Sequence, residues 1–276
     1  MSYPGATSTK FGRIAVARSP RLDRLHLYGG EPLREVDHES PLPVLDQEDL
    51  LEQGIHVSKL VHGARDVDAL GSCTCNAGAA SLAERRIASG QLLPTGLSTS
   101  DAAAAESWAI QLYHQVTMQT GDTATEWPPT DCGSNGTYVA QELQRMGLIS
   151  DHQVASDIHS LVALLQGGTV ILGGPFFRSW MEPDAQGFVD GEGGVDDLRA
   201  AIASGVAGGH ETCITAVERL TFDRLERIDP ATSHVRIRNS WAPSWGDHGS
   251  CRVHLSTLQL LWSQLDLQQF VVEAHS

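Results

Sequence analysis

The chain has 276 residues, 41% of them apolar, and is therefore long enough to bury a substantial hydrophobic core. Its formal net charge is −15, from 34 acidic and 19 basic side chains. This charge argues against nucleic acid or an anionic membrane surface as a partner, because both are bound through basic patches. The start of the chain has no uninterrupted apolar stretch, and nowhere do about 18 apolar residues run together. We therefore expect a soluble, cytoplasmic protein.

The chain contains five cysteines: Cys73, Cys75, Cys132, Cys213 and Cys251. The odd number and the lack of a CxxC pair argue against a disulfide framework and against a zinc site. We expect reduced thiols, no metal ion and no other cofactor. Most single cysteines are small buried hydrophobes, so a reactive one has to be identified by its partners elsewhere in the chain.

The first half of the chain has the pattern of a helical unit. Residues 1–54 are rich in proline, glycine and charge. We interpret them as an N-terminal extension with a short strand at "GRIAVARSP" and a short helix at "LDQEDLLEQG", which ends at Gly54. Stronger helices are predicted at "CTCNAGAASLAERRIAS" and "GTYVAQELQRMGLIS". Between them a third helix is predicted, capped by Ser100 or Asp101 and stopped by Gly121.

The second half changes to strands after a predicted helix at "SDIHSLVALLQGG". Short β-branched runs follow, separated by turn residues: "TVILGG", "HETCITAVERL", "HVRIRNSW" and "SCRVHL". The stretch from Met181 to Asp197 holds six carboxylates and no Lys or Arg. It lacks the EF-hand spacing and is interpreted as a solvated acidic loop. Helices followed by strands predict an α+β fold of two lobes with a cleft between them.

Cys73 is the best candidate for a nucleophile. It follows Gly71 and Ser72 and opens a predicted helix, where free N–H groups and the helix dipole stabilise a thiolate. Cys75 lies about 200° further around the same helix. We therefore expect Cys73 to react and Cys75 to pack.

A thiolate nucleophile needs a base and a group that orients this base. His210 follows Gly208 and Gly209 at the start of a strand, where the backbone can approach a neighbour closely. Asn239 ends another strand and can orient the imidazole. Trp241 follows it and can shield the Asn–His hydrogen bond from water.

With these residues the sequence resembles the papain-like cysteine peptidases, particularly the bacterial and phage members that read "LGSCTANA". Residues 70–77 read "LGSCTCNA". The Cys–His–Asn order of the family matches Cys73, His210 and Asn239, with the Cys-to-His separation of about 130–150 residues expected for this group. The stretch "NSWAPSWGDHG" is similar to the family signature NSWG-x-x-WG-x-x-G, with Ala242 in place of glycine.

The resemblance spans about residues 55–262 and implies a papain-like fold. A mainly helical lobe, residues 55–165, would carry the nucleophile, and an antiparallel β-barrel lobe, residues 166–276, would carry the histidine and the asparagine. The segment "DCGSNGTYVAQEL" is similar to the wall of the S2–S3 subsites of the family. The resemblance therefore implies a substrate-binding set: Gly133, Ser134, Gly209 and Trp241.

The sequence departs from the family at the oxyanion hole. Family members place a Gln six residues before the nucleophile, and its side-chain amide joins the cysteine N–H in binding the oxyanion. Here Val67 occupies this oxyanion-hole position, between Asp66 and Asp68. Loss of one such donor costs about 10²–10³-fold in rate. A second departure places Glu211 beside the candidate base.

The sequence thus predicts a cysteine peptidase that hydrolyses peptide bonds of a peptide or protein substrate through a thioester acyl-enzyme. Three alternatives stay open. A pseudo-peptidase would use the cleft for binding only, a cell-wall amidase would share the Cys–His order, and an acyltransferase would pass the acyl group to an amine. The substrate, the P2 preference, the oligomeric state and the processing of the extension stay open as well.

Overall fold

The computed structural model describes residues 32–65, 70–119 and 126–273. The helices in these ranges are α1 (Glu48–Glu52), α2 (Val57–Leu60), α3 (Cys73–Ala88), α4 (Ala102–Met118), α5 (Gly136–Arg145), α6 (Ile158–Leu165), α7 (Val195–Ser204) and α8 (Leu255–Leu261), with 3₁₀ turns at Arg178–Met181 and Trp262–Gln264. The strands are β1 (Val36–Asp37), β2 (Asp151–Val154), β3 (Val170–Phe177), β4 (Val206–Arg219), β5 (His234–Arg238), β6 (Ser250–His254) and β7 (Asp266–Val271). The strand predicted at residues 12–20 lies outside the described ranges.

These strands form one sheet in the order β2–β7–β3–β4–β5–β6, with β1 paired to β4, and each of these strand pairs is antiparallel. The long strand β4 lies at the centre. Its register with β3 sets His210 opposite Gly174. Its register with β5 sets Cys213 opposite Arg238, so that Asn239 follows directly at the end of β5. The sheet register therefore brings the two residues together.

Two hydrophobic cores divide the molecule. The first includes Leu70, Leu82, Ile110, Tyr113 and Leu143. The second includes Leu161, Leu172, Ile214, Val235 and Leu258. The first core lies among the helices α1–α5, and the second lies between the sheet and the helices α6–α8. This confirms the predicted α+β fold with a helical lobe and an antiparallel β lobe.

The helix ends show why these segments fold as predicted. Asp101 caps α4 by accepting a hydrogen bond from Ala104 N–H at 3.0 Å. Asn135 caps α5 in the same way through Tyr138 N–H at 3.0 Å. Each cap satisfies a donor that has no partner inside its helix, so each helix begins at a position that the local sequence specifies.

The acidic stretch differs from its prediction as a solvated loop. Its last residues begin α7, whose first turn carries Asp196 and Asp197, the side chains that a helix N-terminus favours. Asp190 is buried and accepts hydrogen bonds from the backbone N–H of His254 at 2.9 Å and from its ring at 3.1 Å. The stretch is therefore anchored near its middle by Asp190 and helical at its end.

Residues 36–54 contact both lobes. β1 pairs with β4, and the Leu42 carbonyl accepts a hydrogen bond from Arg238 at 2.5 Å. Ser40 Oγ donates to the Ala80 carbonyl of α3 at 2.8 Å, and Leu42, Leu45 and Leu50 are buried in the first core. This segment places Gln47 at the start of α1. Nowhere in the described ranges is a helix both long and apolar enough to cross a lipid bilayer.

Candidate active site

Cys73 is the first residue of α3, as the sequence predicts. The first turn of this helix carries no acidic side chain, so nothing in that turn opposes the positive end of the helix dipole. The helix packs along β4, the strand that carries His210. The fold therefore packs the helix that begins with Cys73 against the strand that carries His210.

The other four thiols are held mainly in their protonated form. Burial raises the pKa of the Cys75, Cys132, Cys213 and Cys251 thiols. A raised pKa lowers the fraction of thiolate near neutral pH, and the thiolate is the nucleophilic form. None of the five cysteines forms a disulfide.

His210 and Asn239 are hydrogen-bonded and buried. The distance between His210 Nε2 and Asn239 Oδ1 is 2.7 Å. The same oxygen accepts a hydrogen bond from the backbone N–H of Ser240 at 2.8 Å. Because a backbone N–H can only donate, the Asn239 atom must be the oxygen, and His210 Nε2 must carry a proton. A neutral His210 then presents Nδ1 as its basic nitrogen.

Aromatic rings enclose this pair. Trp241 stacks on His210 with ring centroids 4.7 Å apart and an interplanar angle of 25°. Phe176 meets the imidazole edge-on at 5.3 Å, and Trp245 packs edge-on against Trp241 at 5.4 Å. Trp241 is only 7% exposed. The rings lower the local dielectric and keep water from the hydrogen bond between His210 and Asn239.

The turn after Asn239 has positive φ angles at positions where the family signature has glycine, and one of these positions carries alanine here. Ala242, which stands where the family signature has glycine, adopts a positive φ of 66°, a conformation that is costly for a residue with a Cβ. Gly249 has a φ of 83° and accepts the Asn239 N–H on its carbonyl at 2.9 Å. A Cβ at Gly249 would lie 2.6 Å from Val44, so a close approach also requires this glycine.

The loop that leads into Cys73 is bound by Gln47. The side chain of Gln47 accepts the Leu70 N–H on Oε1 at 2.5 Å and donates from Nε2 to the Leu70 carbonyl at 2.8 Å. Nε2 also donates to Ser72 Oγ at 2.9 Å. A glutamine amide therefore lies beside the residue that precedes the candidate nucleophile. Val67, the predicted oxyanion-hole position, lies outside the described residues.

The sequence pattern does not indicate Gln47, because the family resemblance places the oxyanion glutamine six residues before Cys73. The helices α1 and α2 lie between the glutamine and the loop, so spacing along the chain gives no signal. The segment "PLPVLDQEDLL" offers one weak clue, since its apolar residues predict burial of the chain on either side of the amide.

A second set of bonds joins the nucleophile loop to the predicted substrate wall. Gly71 N–H donates to Asp131 Oδ2 at 2.8 Å. The Tyr113 hydroxyl donates to Asp131 Oδ1 at 2.8 Å and accepts the Gly133 N–H at 2.7 Å. Asp131 and Tyr113 therefore hold the two loops in a fixed relation.

The predicted substrate-binding residues lie on both lobes. Gly133 has a positive φ of 73°, and the adjacent Ser134 is buried, with no hydrogen-bond partner for its hydroxyl among the described residues. Gly209 pairs with Pro175 across β4 and β3, one position before His210. Between the lobes, a cavity is lined by Asn76, Ala77 and Ala80 of α3 on one side and by Glu211, Asn239 and Ser240 on the other.

Glu211 points away from the imidazole. Successive residues of a strand face opposite sides of the sheet, and Glu211 lies against Gly136 and Ile171 rather than in the aromatic enclosure of His210. A Cβ at Gly136 would collide with Glu211 Oε1 and lie 2.9 Å from Ile171 Cδ1. The start of α5 therefore requires a glycine to accommodate this carboxyl group. In the described ranges, no group of three or more His, Cys, Asp or Glu side chains is arranged to hold a metal ion.

Several solved structures with a similar fold are cysteine proteases. Xylellain, a cysteine protease from Xylella fastidiosa, matches with a TM-score of 0.52 and 19% identity over 99% of both chains. Digestive procathepsin L 3 of the Tenebrio molitor larval midgut matches with a TM-score of 0.51 and 14% identity over 96% of this chain and 77% of the other. Procathepsin B S9 from Trypanosoma congolense matches with a TM-score of 0.50 and 10% identity over 94% of this chain and 85% of the other.

No protein-family model and no curated protein sequence matches the chain. At identities below 20% the structural likeness establishes the fold, which is papain-like. The chemistry has to be argued from the residues.

Proposed function

We propose that this chain is a papain-like cysteine peptidase with Cys73 as nucleophile, His210 as general base and acid, and Asn239 as the orienting residue. The observation that carries the proposal is the buried hydrogen bond between His210 and Asn239, which leaves Nδ1 as the basic nitrogen on the strand along which the helix of Cys73 packs. The order of the three residues along the chain and the papain-like fold support the same assignment.

The proposed reaction is acyl transfer to water. His210 Nδ1 takes the proton of Cys73, and the thiolate attacks the carbonyl carbon of a peptide bond. His210 then protonates the leaving amine, which leaves a thioester on Cys73. A water molecule, activated by the same imidazole, hydrolyses the thioester. Trp241 shields the imidazolium that forms in each half of the reaction.

Two donors are proposed for the oxyanion. One is the backbone N–H of Cys73 at the start of α3. The other is Gln47 Nε2, which donates to Ser72 Oγ at 2.9 Å next to the nucleophile and can transfer that hydrogen bond to the developing negative charge. Such a donor is worth about 10²–10³-fold in rate. Gln47 would thus supply the amide that Val67 lacks.

The remaining parts of the proposal concern substrate and location. Gly133, Ser134, Gly209 and Trp241 are proposed to line the cleft for a peptide or protein substrate. The net charge of −15 supports neither nucleic acid nor an anionic membrane as a partner. We propose a cytoplasmic location and, from the resemblance of its "LGSCTCNA" motif, a relation to bacterial and phage peptidases.

An irreversible epoxide inhibitor of thiol peptidases tests the proposal. We expect the inhibitor to label Cys73 at neutral pH, as mapped by mass spectrometry, and to abolish hydrolysis of a mixed peptide library. The His210→Ala variant serves as the control and should be labelled much more slowly. Labelling of another cysteine would contradict the assignment. Labelling of Cys73 without any hydrolysis would favour the acyltransferase or the binding protein.

A further inference from the structure

Glu106 is a buried carboxyl group beneath the first turn of α3. It projects from α4 and is 0% exposed. Its Oε2 accepts a hydrogen bond from Asn76 Nδ2 at 2.7 Å, while its Oε1 has no hydrogen-bond partner among the described residues. Burial, reinforced by the nearby Asp46 and Asp49, raises the pKa of Glu106 to about 8. Folding therefore favours the protonated form of this carboxyl group.

A directed chain of hydrogen bonds runs from Glu106 to the nucleophile loop. Because Asn76 donates its Nδ2 to Glu106, its Oδ1 faces Ser72 and accepts the Ser72 hydroxyl proton at 2.8 Å. Because the Ser72 hydroxyl donates its proton to Asn76, its lone pairs are available to another donor. Ser72 Oγ accepts a hydrogen bond from Gln47 Nε2 at 2.9 Å. The Leu70 N–H can only donate, and it fixes these directions from the Gln47 end.

The hydrogen bonds at the Gln47 end of this series run in the same direction. Leu70 donates its N–H to Gln47 Oε1 and accepts from Nε2, which fixes the amide with its nitrogen towards Ser72. One hydrogen of Nε2 goes to the Leu70 carbonyl, and the other goes to Ser72. Only this second hydrogen depends on the relay through Asn76 and Glu106.

Packing in the hydrophobic core does not explain why position 106 carries a carboxyl group. A buried acid with one unpartnered oxygen is less stable than an apolar side chain of similar size. Glu142 is also 0% exposed, but it accepts from Arg145 at both oxygens. Glu84 accepts both the N–H and the hydroxyl of Thr169 at 3.1 Å. Glu106 instead directs its hydrogen bond to the helix that begins with Cys73.

We propose that Glu106 is a positioning residue that acts through Asn76 and Ser72 to hold the Gln47 amide against the loop that presents Cys73. It touches neither the substrate nor the reacting atoms. The inference rests on the proposed function, in which Gln47 donates to the oxyanion. Loss of the acceptor at Glu106 would leave Asn76 to rotate, Ser72 to redirect its proton, and Gln47 without its second acceptor.

The test compares Glu106→Met, which removes the acceptor, with Glu106→Gln, which keeps one, in the full-length protein. We expect Glu106→Met to lower kcat about 10- to 100-fold with little change in KM, because the donor is displaced rather than deleted. Glu106→Gln should restore most of that loss. Alkylation of Cys73 should proceed at an unchanged rate, since it does not use the oxyanion donor.

A matched control separates positioning from general core damage. Glu84→Met also removes a buried carboxyl acceptor, and it should lower thermal stability without the fall in kcat. In a Gln47→Ala background, Glu106→Met should cost less than about threefold further, since the two residues act as one unit. An equal loss of kcat in Glu84→Met, or an additive loss with Gln47→Ala, would overturn the proposal.

Two further outcomes are decisive. If Glu106→Met does not fold, Ser72→Ala breaks the same relay in the middle and should give the same drop in kcat, again without additivity to Gln47→Ala. If the wild type is active and Glu106→Met or Ser72→Ala keeps the full kcat, this inference is contradicted but the proposed function is not. A wild type that neither hydrolyses peptides nor reacts at Cys73 would contradict the proposed function and this inference together.

Discussion

The nucleophile loop and the His–Asn pair are held by different kinds of interaction. Leu70–Ser72 is bound by polar side chains from distant segments, Gln47 and Asp131, through short directional hydrogen bonds. His210 and Asn239 come from neighbouring strands and are enclosed by aromatic rings. One side of the proposed site depends on a few polar atoms, and the other depends on sheet register and packing.

This difference predicts how each side responds to substitution. A hydrogen bond has a fixed direction, so removal of one partner redirects its neighbours and changes the geometry of the loop. Aromatic packing is spread over many weak contacts, and its loss lowers stability before it changes the position of one atom. We expect changes at the nucleophile loop to lower rate more than stability, and changes around His210 to lower both.

The largest effects should come from the reacting groups themselves. Cys73→Ala and His210→Ala should each reduce peptide hydrolysis by about 10⁴-fold or more, and the double variant should be no worse, because the two residues act as a unit. Rates with a peptide substrate and thermal unfolding of the same samples provide the measurement. Unfolding of either variant would assign the residue a structural role instead.

Gln47→Ala should have the next largest effect. We expect a fall in kcat of about 10²–10³-fold, from the loss of one oxyanion donor, with only a small loss of stability. Val67→Gln should change the rate little, because Gln47 already supplies the amide. Steady-state kinetics of both variants are the measurement. The opposite pattern, a gain in rate from Val67→Gln and no loss from Gln47→Ala, would assign the side-chain oxyanion donor to position 67 instead of Gln47.

Trp241→Leu tests the aromatic side and should affect rate less. Truncation of the stacked indole should lower the free energy of unfolding by about 3 kcal/mol and kcat by roughly tenfold as water reaches the His–Asn bond. Urea unfolding and kcat on the same preparation measure both. A rate loss as large as that of Gln47→Ala, with unchanged stability, would erase the distinction between the two sides.

The smallest effect on rate, and a distinct effect on stability, is expected from Glu106→Gln across pH. The pKa of Glu106 is raised from 4.5 to about 8 in the folded protein, so folding favours the protonated acid. The contribution of Glu106 to stability is fully present below about pH 4.5 and declines as pH rises towards 8. Relative to the Gln variant, the wild type should lose about 1 kcal/mol per pH unit in this window. Urea unfolding at pH 5, 6.5 and 8 measures the difference, and a constant difference would contradict the raised pKa.

Local signals in the sequence were sufficient for the elements that carry the proposed triad. The start of α3 at Cys73, the cap at Asp101 and the strand before Asn239 depend on residues within one or two turns of chain, so periodicity and capping predict them. The α+β class follows from the order of these elements. The acidic stretch was the exception, because Asp196 and Asp197 are typical of both a solvated loop and a helix start.

Tertiary structure alone decided which polar groups support the nucleophile. Gln47 reaches the loop before Cys73 from the start of α1, and Asp131 reaches it from the segment before α5. Glu106 of α4 accepts a hydrogen bond from Asn76 in the first turn of α3. No periodicity links such positions, because a hydrogen bond between distant segments depends on how two helices pack rather than on spacing along the chain. The sequence by itself therefore determined the fold class and the order of the candidate residues, and packing determined which amide and which carboxyl group were placed beside them.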